Sequence, residues 1–200
     1  MNPHKKISVM IVEDDMDFQF LIRRAILREP DMETAGCFDN PAAAVRAALQ
    51  RPPDIVLMDL SLGKSVSEGI SASRQIRLAT DSKVLILTSY ENPTTVVEAA
   101  VNSLAHGYLF KSHFDLLIET IRKTAAGATP QEFMIKSLLL SRLSPAERSV
   151  FEIMIGRDVT LHSSPKTISN QKTMVLKKLG FSSQNELMHI FADPDEPYSP

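Results

Sequence analysis

Glu13, Asp14, Asp59, Thr88 and Lys111 are the residues of this 200-residue chain whose types and placement could do chemistry. Each follows a short apolar run: Glu13 and Asp14 come after residues 7–12, Asp59 after 55–58, Thr88 after 84–87 and Lys111 after 107–110. Singly they have ordinary explanations, since an acidic turn is commonly solvated surface and a lone aspartate commonly caps a helix. Together they specify a reaction. Three carboxylates converging on one point repel one another unless a cation joins them, and an all-oxygen donor set selects a hard divalent ion, of which Mg2+ fits best. A carboxylate beside such an ion can attack a phosphoryl donor, because the metal offsets charge on both the attacking oxygen and the group in transit. Asp59 is placed for that role, with Lys111 and the Thr88 hydroxyl aimed at the equatorial oxygens.

The elements that must position these residues are the strands of a parallel sheet. Runs at 7–12, 32–38, 55–58, 84–87 and 107–110 read as five strands, because strands covered on both faces appear as continuous apolar stretches. Helical patterns alternate with them. Phe18, Leu21, Ile22 and Ala25 share one face of a helix ending near Pro30; Asn40 and Pro41 form an N-cap and first helical position for a helix to Gln50; further helices are expected near 68–79, 93–103 and 112–126. In an open sheet of this kind ligands bind at the carboxyl ends of the strands, where all five candidate residues fall. The predicted fold is α/β, a doubly wound five-stranded parallel sheet over residues 5–127, followed by a linker at 128–142, a small all-α unit at 143–192 and a disordered tail at 193–200.

The strings Val12-Glu13-Asp14-Asp15, Asp54-Ile55-Val56-Leu57-Met58-Asp59-Leu60, Leu87-Thr88-Ser89 and Ala105-His106-Gly107-Tyr108-Leu109-Phe110-Lys111 resemble the receiver domains of two-component response regulators, which have a flavodoxin-like fold. The resemblance covers roughly the first three-fifths of the chain. It implies Asp59 as the phosphorylation site, Asp14 as a direct Mg2+ ligand, Glu13 as a ligand acting through water, and the Ser61 carbonyl as a further ligand. It also implies Thr88 and Lys111 as phosphoryl contacts and Tyr108 as the aromatic residue that changes rotamer on activation. The sequence departs from the family after Asp59, where Leu62-Gly63-Lys64-Ser65 replaces the usual Met-Pro and the following glycine becomes Gly69. Gly63-Lys64-Ser65 imitates the end of a nucleotide-binding P-loop, but Met58 occupies the position where that motif needs its first glycine.

Ser144, Pro145 and Glu147 compose a helix start, with Val150, Ile153 and Met154 as the apolar face behind it. A second helix is expected from Pro165 to Leu179, ended by Gly180. No acidic residue occurs between Val159 and Asn185, whereas Lys166, Lys172, Lys177 and Lys178 do. Such a face can be mere solvated surface or an electrostatic footprint for nucleic acid. Leu143-Ser144-Pro145-Ala146-Glu147-Arg148, Lys166-Thr167-Ile168-Ser169-Asn170 and Lys178-Leu179-Gly180 resemble the helix-turn-helix output domain of LuxR/NarL-type regulators, shortened by about six residues between the matched segments. That resemblance implies a recognition helix on which Ser169, Asn170 and Thr173 face bases while Lys166 and Lys177 approach phosphates. Relatives usually carry an apolar residue where Lys172 stands; an unpaired buried ammonium is costly, so Lys172 is expected at the surface.

Composition sets the remaining bounds. Lysine and arginine number 22 against 24 acidic residues, so any basic surface is local. Cys37 alone can make neither an intramolecular disulfide nor a zinc site, in keeping with a reducing cytoplasm. The apolar run after the basic opening is too short for a signal peptide, and no stretch is long enough to cross a bilayer. No nucleophile–histidine pair suggests an enzyme. The resulting expectation is a cytoplasmic regulator that takes a phosphoryl group on Asp59 from a sensor histidine kinase, forms a homodimer when phosphorylated, and controls transcription through double-stranded DNA. The competing reading is a signalling adaptor whose shortened output unit binds protein instead.

Overall fold

A computed structural model describes residues 5–62, 66–160 and 164–191. The Gly63-Lys64-Ser65 sequence and the expected tail at 193–200 lie outside these residues. The chain divides into two compact units, residues 1–136 and 137–200.

In the first unit the described elements run β1 (Ile7–Val12), α1 (Met16–Leu27), β2 (Met32–Phe38), α2 (Pro41–Gln50), β3 (Ile55–Met58), α3 (Val66–Ala79), β4 (Lys83–Thr88), α4 (Pro93–Ser103), β5 (Gly107–Phe110), a 3-10 segment (Lys111–Leu116) and α5 (Leu117–Ala126). All neighbouring strands pair in parallel, in the order β2-β1-β3-β4-β5. Alternation along the strands sends Val9, Ile11, Ile55, Leu57, Leu85 and Leu87 into a core with Ile22 and Ile26 of α1 and Leu117 and Ile121 of α5. The intervening Met10, Val12, Val56, Met58, Val84 and Ile86 are equally buried on the opposite face, so the central strands are apolar on both sides. Helices α2, α3 and α4 pack side by side.

Local chemistry sets the helix starts. Asp15 accepts from the backbone N–H of Asp17 (2.9 Å) and Phe18 (3.1 Å) to cap α1, and Asn40 and Asn92 cap α2 and α4 ahead of prolines at the first helical turn. The helix expected over 112–126 begins instead as the 3-10 segment, with His113 off helical geometry (φ −105°, ψ 41°). Its Phe114 is drawn onto Phe18 of α1, ring centroids 5.5 Å apart, so a tertiary contact tightens the turn that local propensity would have made regular.

Residues 128–142, expected to link the units, contain a helix, α6 (Pro130–Leu140). Thereafter come α7 (Pro145–Met154), α8 (Pro165–Leu179) and α9 (Gln184–Phe191). A capping box opens α7: Glu147 Oε2 accepts from Ser144 N–H at 2.8 Å and Ser144 Oγ accepts from Glu147 N–H at 3.4 Å. The small core of this unit holds Val150, Phe151 and Met154 of α7, Val175 and Leu179 of α8, Phe181, and Leu187 and Ile190 of α9. Phe151 and Phe191 meet edge-on at 5.0 Å.

Candidate functional site

The first strand crossing of the sheet, where β1 and β3 lie adjacent and the chain winds away in opposite directions, is where such sheets bind ligands. Glu13 and Asp59 are fixed there by the ladder itself. Glu13 N–H donates to Phe38 O at 2.8 Å and Asp59 N–H donates to Val12 O at 3.0 Å, extending the pairing one residue past the strands. Both side chains are buried, Glu13 1% and Asp59 2% exposed, whereas the neighbouring Asp14 faces solvent. The three carboxylates each offer an oxygen, and these oxygens lie within 4.8 Å of one another.

Lys111, the residue after β5, closes the cluster from across the sheet. Its ammonium lies 2.7 Å from Glu13 Oε2 and 2.8 Å from Asp59 Oδ2. Burial alone would depress this lysine, but its bonds to Asp59 and Glu13 overcome that and hold it above its usual range. Burial conversely lifts the Glu13 carboxyl to about 7 against the pull of Lys111. The second oxygen of Asp59, Oδ1, accepts from Ser61 N–H at 3.0 Å. Beneath the loop, Gly69 of α3 stands where a Cβ would come within 2.8 Å of Asp59 O and 3.2 Å of Leu60 Cα, so a side chain there would push directly on the Asp59 backbone.

Thr88 ends β4, fully buried, and its Oγ1 accepts from Tyr90 N–H at 3.4 Å. Tyr108 of β5 does not join the carboxylates; its hydroxyl donates to Tyr90 O at 3.0 Å, and burial raises its phenol to about 12. Sequence reasoning missed Phe18, whose ring lies 4.6 Å under the Lys111 ammonium, and Gln131, whose carboxamide bonds the Tyr108 backbone. The helical spacing of α1 marks Phe18 only as a core residue, and nothing local pointed to Gln131.

The donor set is all carboxylate oxygen with one solvent-facing member, so the cluster suits a metal ion that keeps part of its water shell. A family model for the response regulator receiver domain matches residues 9–122, more than half of the chain. This chain belongs to the response regulator receiver family. The transcriptional regulatory protein DegU of Brevibacillus brevis is 31% identical to this response regulator over 124 residues, 61% of this chain and 51% of the relative. The transcriptional regulatory protein YdfI of Bacillus subtilis is 25% identical over 206 residues, covering 92% and 94% of the two chains. A crystal structure of a DNA-binding response regulator of the LuxR family from Staphylococcus aureus matches with a TM-score of 0.54 at 26% identity, over 60% of this chain and 98% of that one.

The second unit of this response regulator presents Lys166, Ser169, Asn170, Thr173 and Lys177 of α8, all exposed and spaced to share one helical face. Lys178 turns the other way, its ammonium 2.7 Å from Glu147 Oε2; that contact, with the Ser144 backbone, holds the Glu147 carboxyl at about 2. Lys172, expected at the surface, is half-buried. A long lysine stem can cover apolar surface while its ammonium reaches water, which avoids the burial cost on which the expectation rested. Among the described residues between α7 and α8 there is no helix. No described helix is long and apolar enough to cross a membrane.

Proposed function

We propose that this protein is the phosphorylation-dependent response regulator of a two-component system, accepting a phosphoryl group on Asp59 from a sensor histidine kinase and controlling transcription by binding double-stranded DNA. The observation that carries the reading is the Asp59 carboxylate, buried at the end of β3 and held between Lys111 Nζ (2.8 Å) and Ser61 N–H (3.0 Å) beside two further carboxylates. Asp14, Asp59 and the Ser61 carbonyl would hold Mg2+ directly and Glu13 through water. When bound, the ion would offset negative charge on the attacking and transferring oxygens.

An Asp59 oxygen forms the new O–P bond as the P–N bond to the kinase imidazole breaks. Lys111 is positioned to pass from the carboxylate to a phosphoryl oxygen, and Thr88 supplies a hydroxyl on the neighbouring strand. Turning Thr88 toward the phosphoryl group removes the acceptor from Tyr90 N–H, and Tyr108, bonded to the same residue, moves inward. The reshaped face of α4, β5 and α5 supports a homodimer. Two copies of the second unit then place their α8 helices in the major groove, with Ser169, Asn170 and Thr173 toward bases and Lys166 and Lys177 toward phosphates. The domain roles follow: receiver at 5–127, connecting helix within 128–142, helix-turn-helix-like unit at 143–192, all in the cytoplasm.

Intact-mass spectrometry after incubation with acetyl phosphate tests this. Wild type should gain one phosphoryl group only with Mg2+, and Asp59→Asn none; a phosphoryl group on Asp59→Asn would overturn the assignment.

A further inference from the structure

Among the described residues β5 is an edge strand, so the outward N–H and C=O of its residues have no partner strand there. At Tyr108 that gap is filled by a side chain. Gln131 of α6 sets its carboxamide into the ladder position, Oε1 accepting from Tyr108 N–H at 3.1 Å and Nε2 donating to Tyr108 O at 3.4 Å. The approach depends on Gly107, where a Cβ would lie 2.6 Å from Gln131 Oε1 and 2.9 Å from Leu85 Cδ2. Thr129 reinforces the same joint: its hydroxyl donates to His106 O at 3.1 Å and accepts from Glu132 N–H at 3.2 Å, tying the first turn of α6 to the start of β5.

The residue so held is the one whose hydroxyl reaches Tyr90 O, while Tyr90 N–H reaches Thr88 Oγ1. A run of hydrogen bonds therefore leads from the Thr88 hydroxyl at the end of β4, through Tyr90 and Tyr108, to a helix of the connecting segment. We propose that Gln131 is a positioning residue for the Tyr108 switch: its carboxamide stabilises the arrangement in which Tyr108 bonds Tyr90, and its release accompanies capture of a phosphoryl group at Asp59, freeing the first turn of α6. The inference rests on the reading that Asp59 is the acceptor. Because Gln131 favours one of two arrangements, it opposes phosphorylation by the free energy of its contact, and phosphorylation opposes that contact equally.

The test uses the full chain with Mg2+ and beryllofluoride as the phosphoryl mimic, followed through the backbone amide signals of Tyr108 and its neighbours. In wild type the Tyr108 amide should be protected from hydrogen exchange without the mimic and lose protection with it. Gln131→Ala should lack that protection from the start and reach half-saturation at roughly 3- to 10-fold lower beryllofluoride, the range expected from loss of one ordinary hydrogen bond. Gln131→Glu, which sets a second oxygen against Tyr108 O, should behave alike, and since Gln131 is exposed both variants are expected to fold. If wild type takes up no mimic at all, the acceptor reading has failed. If it does, but Tyr108 stays equally protected or Gln131→Ala binds the mimic no better, the clamp is refuted.

Discussion

His106 links the stability of the receiver unit to pH. The ring is 4% exposed, and its Nδ1 accepts from Val84 N–H at 3.0 Å while its own backbone N–H donates to Val84 O at 2.8 Å. The neutral ring therefore carries its proton on Nε2, and protonating Nδ1 would set one N–H against another. Burial, with the positive charges of Arg77, Lys83 and Lys136 behind it, pulls the imidazole down to about 2. Glu132 Oε1 lies 3.8 Å from Nε2, but that carboxylate is already bound by Lys136 at 2.9 Å. Since the folded value lies below the ordinary 6.5, the contribution is complete above pH 6.5 and is lost as pH falls from there toward 2. One such group costs about 1.4 kcal/mol per pH unit in that window, so acidification from pH 7 to pH 5 should cost roughly 2 kcal/mol. His106→Asn offers Val84 a non-titrating acceptor at nearly the same place. Urea unfolding of both proteins at pH 7, 6 and 5 should show wild type losing roughly 2 kcal/mol relative to the variant. A difference that does not move with pH would refute the reasoning.

Lys111→Met leaves the buried carboxylates of Glu13 and Asp59 without their shared cation and should cost about 3 kcal/mol in urea unfolding without divalent ions, the low end of the usual range because Lys111 keeps some contact with water. Added Mg2+ should restore part of that loss; a destabilisation that ignores Mg2+ would count against a metal in the cluster. Ser144→Ala removes half of the α7 capping box and should destabilise the second unit by about 1 kcal/mol, read from its urea midpoint. In salt titrations of DNA binding by the phosphorylated protein, Lys166→Ala and Lys177→Ala should each lower the slope of log K against log salt by about one unit. Unchanged slopes would favour a protein-binding output unit.

The strands were legible because a strand covered on both faces has no polar alternation to interrupt it: all four residues of β3, Ile55–Met58, are buried. β4 extends beyond its apolar run to Lys83 and Thr88, polar residues whose backbone pairs while their side chains serve other ends; the Lys83 ammonium donates to Thr124 O and Gly127 O at 2.7 and 3.2 Å. Glu13, Asp14, Asp59 and Lys111 converge as expected because strand ends in one parallel sheet are neighbours in space. What the sequence hid were contacts between residues far apart in the chain with no period to betray them. Gln131 reads as one more polar residue in a helix, and its partner is backbone, which carries no signature of type. Phe18 reads as a core residue of α1, and its place beneath Lys111 depends on the 3-10 turn that brings Phe114 alongside.

The second unit shows how a shortened sequence can keep a helix and yet hold it unevenly. Lys172, expected at the surface, is half-buried instead, which a lysine stem lying along apolar surface with its ammonium in water allows. The firm anchors of α8 are Val175, Leu179 and the Lys178–Glu147 pair, all in its C-terminal half, with the Gly180 cap (φ 74°) directly after. Its N-terminal half has the Ser164 cap and Ile168, which is only half-buried. Lys166, Ser169 and Asn170 belong to that less firmly held half, and Thr173 and Lys177 to the other. Groups that must be ordered on binding give up part of their contact energy to that ordering, so one copy of this unit should grip DNA weakly. Joining two copies raises the effective concentration of the second contact without strengthening either, which is the gain a phosphorylation-driven dimer would supply.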